Sequence, residues 1–173
     1  MRATTTTLIY LIISIFSFVF SQENNVETQT SFYQVPGTDV KITPPEYFVA
    51  LPVQNTLIHP PTSASIQINE IDGSAYKLVV RNLTPEYIEK QNAHFIKKEN
   101  LTTNDGKEAT LFLVSFTVTA KDSARTPVDY ERIMFFTGNQ NKTIWINANY
   151  PVIAKDVIYN TLIKSLKTVK FDD

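Results

Sequence analysis

Few side chains in this sequence could carry chemistry, and those few are scattered. There are two histidines, His59 and His94, and no cysteine. His59 precedes Pro60 at the end of a strand-like run, and His94 precedes Phe95 in a segment read as helix. A zinc centre needs several N, S or O ligands at characteristic spacings. Neither histidine stands in such a set with Asp or Glu, so both are read as surface or capping residues and no metal ligand is assigned. Glu46, Glu70 and Glu108 share no spacing that would set two carboxylates about one bond. Glu70 and Glu108 fall instead on strand positions that suit cross-strand ion pairs. Ser115 lies in an apolar run without a Gly-x-Ser-x-Gly elbow, and the lack of cysteine removes any thiol nucleophile. Four glycines, none clustered, leave no loop to cradle a phosphate. The expectation is no catalytic residue and no cofactor.

Aromatic residues are the second resource: Tyr47, Phe48, Phe112, Phe116, Tyr130, Phe135, Phe136, Trp145 and Tyr150. Most alternate within strand-like runs and are expected in the core. Trp145 faces opposite to Ile144 and Ile146, and either lines a groove or packs under a helix. Tyr47 and Tyr130 lie near loops, where a partner could meet an amphipathic ring. The candidate partner or ligand contacts are therefore Tyr47, Tyr130, Trp145 and Tyr150.

The elements that must position these residues can be read from periodicity and punctuation. Val40 and Ile42 mark a short strand between the turn signals Pro36-Gly37 and Pro44-Pro45. Residues 56–59 and 65–71 are two strands joined through Pro60-Pro61, and in the second Ile66, Ile68 and Glu70 share a face. Thr84-Pro85-Glu86 opens a helix, with Thr84 as N-cap and Pro85 at the first position. Tyr87, Ile88, Phe95 and Ile96 extend that helical reading over residues 85–98. Asn104-Asp105-Gly106 is a tight turn. In residues 109–119 Leu111, Leu113 and Ser115 oppose Phe112, Val114 and Phe116, which predicts a central strand covered on both sides. Residues 132–137 and 143–150 form a hairpin ended by Pro151. A second helix over residues 152–167 carries an apolar stripe of Val157, Ile158, Leu162 and Leu166. Val169 and Phe171 suit a last short strand. Strands with one helix between and one behind predict an α+β fold around a largely antiparallel sheet.

Residues 8–20 form an apolar run with no charge, preceded by Arg2 and closed by Val19-Phe20-Ser21. This is the pattern of a secretory signal peptide cut after Ser21, and the run is too short for the about 20 residues of a spanning helix. The expected organisation is a leader over residues 1–21, a flexible lead-in over 22–32, and one domain over 33–173. Loss of Arg2 leaves fifteen basic against seventeen acidic side chains, a balance that gives no electrostatic case for nucleic acid or an anionic membrane. A secreted domain without disulfides suits a bacterial periplasmic or surface protein better than an animal secreted one. Three sequons, at Asn82, Asn100 and Asn141, are read as incidental.

One set of words in fixed order resembles the PsbP-like superfamily of small α/β/α sandwiches. They are Val35-Pro36-Gly37-Thr38-Asp39-Val40 with Pro44-Pro45-Glu46-Tyr47-Phe48, then Ser65-Ile66-x-Ile68-x-Glu70. Asn104-Asp105-Gly106-Lys107-x-Ala109 follows, and Asn149-Tyr150-Pro151 stands before the closing helix. Tyr47 occupies a position where glycine is common in that pattern. The superfamily includes a thylakoid photosystem accessory subunit, a Ran-binding nuclear protein and many exported bacterial proteins. The resemblance thus implies an α/β/α sandwich and an accessory role, with no catalytic residue to carry over. The leading expectation is an extracytoplasmic, non-enzymatic domain that binds a protein partner and does not stay in a membrane. The alternative is a small-ligand or metal-binding periplasmic module, with a concave pocket lined by Trp145, Tyr150 or the histidines.

Overall fold

The computed structural model describes residues 31–51, 54–119 and 126–172. The leader, its cut after Ser21 and the lead-in as far as residue 30 lie outside them. Ser31–Asp173 form a compact unit of their own.

Alternating apolar residues build a seven-stranded, wholly antiparallel sheet. Its strands are β3 (Val49–Leu51), β4 (Thr56–His59), β5 (Ala64–Asp72), β6 (His94–Thr102), β7 (Glu108–Val118), β8 (Val128–Gly138) and β9 (Lys142–Pro151). They lie in the order β3-β4-β5-β9-β8-β7-β6. A small ribbon of β1 (Tyr33–Gln34) and β2 (Lys41–Ile42) stands apart from this sheet. The expected last strand is reduced to one bridge between Lys41 and Lys170. Even so, Val169 and Phe171 are both buried beside it. α1 (Tyr76–Asn82) and α2 (Pro85–Lys90) lie between β5 and β6. A 3₁₀ turn (Val152–Ala154) leads into α3 (Lys155–Leu166) after β9.

The two-sided reading of residues 109–119 holds. Leu111 and Leu113 join Ile133, Phe135, Ile144 and Ile146 in a core closed by Ile158, Leu162 and Leu166 of α3. Phe112 and Val114 join Phe136 in a second core under Tyr76, Val80 and Ile88. Helices on both faces of an antiparallel sheet make an α/β/α sandwich, as expected.

Two helical expectations need correction. The helix over residues 85–98 stops at Lys90, although its start is as expected: the Thr84 hydroxyl accepts from the Tyr87 amide at 3.2 Å, with Pro85 in the first turn. Asn92 takes a left-handed φ of 59°, a conformation that a continuing helix cannot hold. The chain from His94 then pairs with β7, with a register shift between Phe95 and Lys97. The spacing of Phe95 and Ile96 from Tyr87 and Ile88 imitates a helical repeat, although along β6 Phe95 packs against the second core and Ile96 is exposed. In α3, Val157 is 72% exposed and lies off the apolar stripe that Ile158, Leu162 and Leu166 form. α1 carries Tyr76, Val79 and Val80, with Leu83 at its C-cap, and is not anticipated by the sequence, because its β-branched pair suits a strand equally well.

Turn chemistry sets the register. In the β8–β9 hairpin the Asn139 side chain accepts from the amides of Asn141 and Lys142, each at 2.9 Å. A Cβ on Gly138 would meet the Lys142 carbonyl oxygen at 2.1 Å, so only glycine fits there. Tyr47 holds a φ of 63°, which explains why glycine suits that position in the resembling pattern. Here a tyrosine takes a strained conformation with its ring in solvent.

Leu113 is buried between the sheet and α3, so Leu113→Ala should cost about 2–5 kcal/mol in a urea titration. A loss below about 1 kcal/mol would mean that this face is not the packed one.

Candidate functional site

β8 and β9 place their side chains alternately on the two faces of the sheet, and the two faces are finished differently. On the α3 face, Tyr150 is buried at 0% exposure. Its hydroxyl donates to Glu131 at 2.5 Å, and the Lys155 ammonium donates to the same carboxylate at 2.7 Å. Burial, and then the Glu131 carboxylate, push the Tyr150 phenol above its ordinary range. The Tyr159 ring meets Tyr150 edge-on at 6.2 Å. Tyr150 was expected among the partner or ligand contacts, but this ring belongs to the core and offers no outer surface.

The opposite face is only partly roofed. α1 and α2, of seven and six residues, close over Phe112, Val114 and Phe136. Register sets Phe116 beside Tyr130, Val114 beside Arg132, and Phe136 beside Trp145 on this same face. Tyr130 stacks on Phe116 at 5.9 Å, and the Arg132 guanidinium lies 4.8 Å from the Phe116 ring centre. These three residues lie outside both buried clusters. Between roof and sheet runs a groove of about 530 Å³, lined by Val79, Leu83, Ile88, Val114, Arg132, Met134, Phe136 and Trp145 among others. Trp145 stacks on Phe136 at 6.0 Å, and its indole nitrogen donates to Asn147 at 3.0 Å. The structure thus separates the four predicted contacts. Trp145 lines the groove, Tyr130 lies farther along the same face, Tyr150 is in the opposite core, and Tyr47 stands exposed beside edge strand β3. Arg132 and Met134 went unremarked in the sequence. The one signal was a charge at an inward position of a strand otherwise apolar on that side.

A second, larger cleft of about 840 Å³ lies between α1 and strands β6 and β7, lined by Lys77, Arg81, Lys98, Lys167 and Glu108 among others. Lys77 pairs with Glu108 at 2.6 Å, and Tyr76 donates to the same carboxylate at 3.0 Å. Lys77 and then Tyr76 hold the Glu108 carboxyl below its usual range. Burial and Glu108 raise the Tyr76 phenol to about 12.

The expected acidic and histidine candidates do not converge. Glu70 pairs across strands with Lys142 at 3.2 Å, and Asp39 meets the same ammonium at 2.6 Å. His59 accepts from or donates to Thr62 at 2.7 Å and stacks on Phe48 at 5.3 Å. Among the described residues no three His, Cys, Asp or Glu side chains gather as a metal site. No helix there is long and apolar enough to cross a membrane.

No family model matches the sequence, and neither does any curated protein. Solved structures do resemble the fold. A protein from Bacteroides thetaiotaomicron superposes with a TM-score of 0.52 at 14% identity, over 82% of this chain and 48% of that one. The chain thus spans about half of that protein's length. The Ran-binding protein Mog1p of Saccharomyces cerevisiae superposes with a TM-score of 0.54 at 10% identity, over 83% of this chain and 95% of its own. The PsbP protein of Synechocystis sp. PCC 6803 (CyanoP) gives 0.52 at 14% identity, over 82% and 92%. The fold is PsbP-like.

Tyr150 supplies a stability test. Its raised pKa means that the folded state holds the phenol proton more tightly than the unfolded chain does. The contribution is therefore full below the ordinary phenol pKa of about 10 and is lost as pH rises beyond it. Tyr150→Phe should cost about 1–3 kcal/mol at neutral pH, because it removes a donor from buried Glu131. It should also make the decline of stability above about pH 10 shallower. Urea titrations across that range check both effects, and parallel declines in the two proteins would contradict them.

Proposed function

We propose that this chain is an exported, non-enzymatic binding module whose partner is another protein. The observation that carries this reading is a group of exposed apolar side chains at one end of the sandwich. Ile153 is 94% exposed, and Val152 and Val157 stand beside it at the start of α3. A cleft there is lined by Ile96, Phe116 and Val152 among others. Val118 and Val128, the last pair of the β7–β8 ladder, are also exposed toward that end of the sheet. Single apolar residues on a surface are ordinary, but a contiguous group favours a partner. A solvated helix start would more usually carry polar side chains at these positions.

The comparisons support a binding module in kind. Mog1p is described as Ran-binding, and fold likeness at 10% identity carries architecture rather than a shared partner. Among the described residues the histidines and carboxylates add no constellation that would favour catalysis. The mature chain in this reading starts at Gln22 and acts outside the cytoplasm, in a periplasm or the medium.

The test is retention of proteins from the extracytoplasmic fraction of the native host on the immobilised mature chain. Wild type should retain a defined partner, and an Ile153→Asp, Val157→Asp double variant should lose it. The melting temperature should change little, since both sites are exposed and such substitutions usually cost within about 0.5 kcal/mol each. Equal retention by the double variant would remove this surface from the account. Retention of nothing by the wild type would remove the protein partner.

A further inference from the structure

The groove under α1 and α2 has walls and a charge that suit one class of ligand. Its volume of about 530 Å³ falls in the range of small-molecule sites. Val79, Leu83, Val114, Met134, Phe136 and Trp145 supply apolar wall. Trp145 commits its only polar atom to Asn147, so what it offers the groove is ring. Arg132 is the one charged residue in the lining, and no Asp or Glu accompanies it. Its Nε donates to the Asn149 side chain at 2.6 Å. This holds the guanidinium in place, and among the described residues neither Nη nitrogen makes a hydrogen bond. Among the described residues Arg132 has no carboxylate partner. A half-buried cation without an anion is unfavourable. Burial accordingly lowers the Arg132 pKa, with no acidic neighbour opposing it.

The geometry points to a binding site for a small amphipathic monocarboxylate, its hydrocarbon part against Met134, Phe136 and Trp145 and its carboxylate on Arg132. The Nη pair of a guanidinium matches the two oxygens of a carboxylate. The contact would supply the counter-charge that the described residues do not. This site is independent of the partner surface around Ile153, and either can fail without the other.

Trp145 is the only tryptophan in the chain, so its emission reports on the groove directly. The probe is decanoate, kept below its micelle-forming concentration, with 1-decanol as the uncharged counterpart. Decanoate should change the Trp145 emission saturably. Decanol should bind about tenfold more weakly or worse, the scale of one charge-assisted hydrogen bond. Arg132→Gln should weaken decanoate by a similar factor and leave decanol unchanged. No response to decanoate would overturn the site. Equal binding of decanol and decanoate, or decanoate binding unaltered by Arg132→Gln, would overturn the carboxylate assignment. The decanoate–decanol comparison uses the wild-type chain, so it decides the matter even if the variant folds poorly.

Discussion

Strands β7, β8 and β9 carry large apolar side chains on both faces, and this constraint dictates the rest of the architecture. Leu111 and Leu113 point one way, Phe112 and Val114 the other. Ile144 and Ile146 are set against Trp145 in the same manner. Each fully buried side chain of this size is worth about 1.5–3 kcal/mol, so neither face can be left in water without losing much of the stability of a small domain. The chain must therefore return to each face with a helix. The connection after β5 supplies one cover and the connection after β9 supplies the other.

The two covers are unequal, and the candidate sites follow from that inequality. α3 has twelve residues and spans a core that also draws in Val35, Val40, Ile42, Val169 and Phe171 from the chain ends. At its start the buried carboxylate of Glu131 is met by both Tyr150 and Lys155, which keeps an ionised group tolerable beside the core. α1 and α2 are shorter and stop before the sheet face is fully covered. What remains is a groove lined by Arg132, Met134 and Trp145 from the sheet side. Farther along, Phe116 and Tyr130 stack on each other instead of under a helix.

Strand alternation is a local property, and it was readable where each residue's neighbours settled it. The opposition of Leu111 and Leu113 to Phe112 and Val114, and of Trp145 to Ile144 and Ile146, appears in the structure as read. So do the Thr84 cap and the hairpin through Asn139. The errors came where two periods compete. Tyr87, Ile88, Phe95 and Ile96 fit a helical spacing, although the last two stand in a strand with Phe95 packed inward and Ile96 exposed. Val79 and Val80 concealed a short helix because β-branched residues serve strands as well. The groove was beyond sequence reading, since its walls come from α1, α2, β7, β8 and β9. Only the register between those strands places Arg132 on the same face as Trp145. Tyr150 shows the converse limit. An aromatic near a strand end reads like a surface contact until the pairing with Glu131 is seen.

One side of this sheet is a closed core and the other carries a thin, openable cover. Native-state amide hydrogen exchange tests this most directly, because it resolves local opening from global unfolding. The amides of α3 and of strands β7 to β9 should exchange only through global unfolding, while those of α1 and α2 exchange faster through local opening. Equal protection of α1, α2 and α3 would contradict the account, since both faces would then be sealed alike.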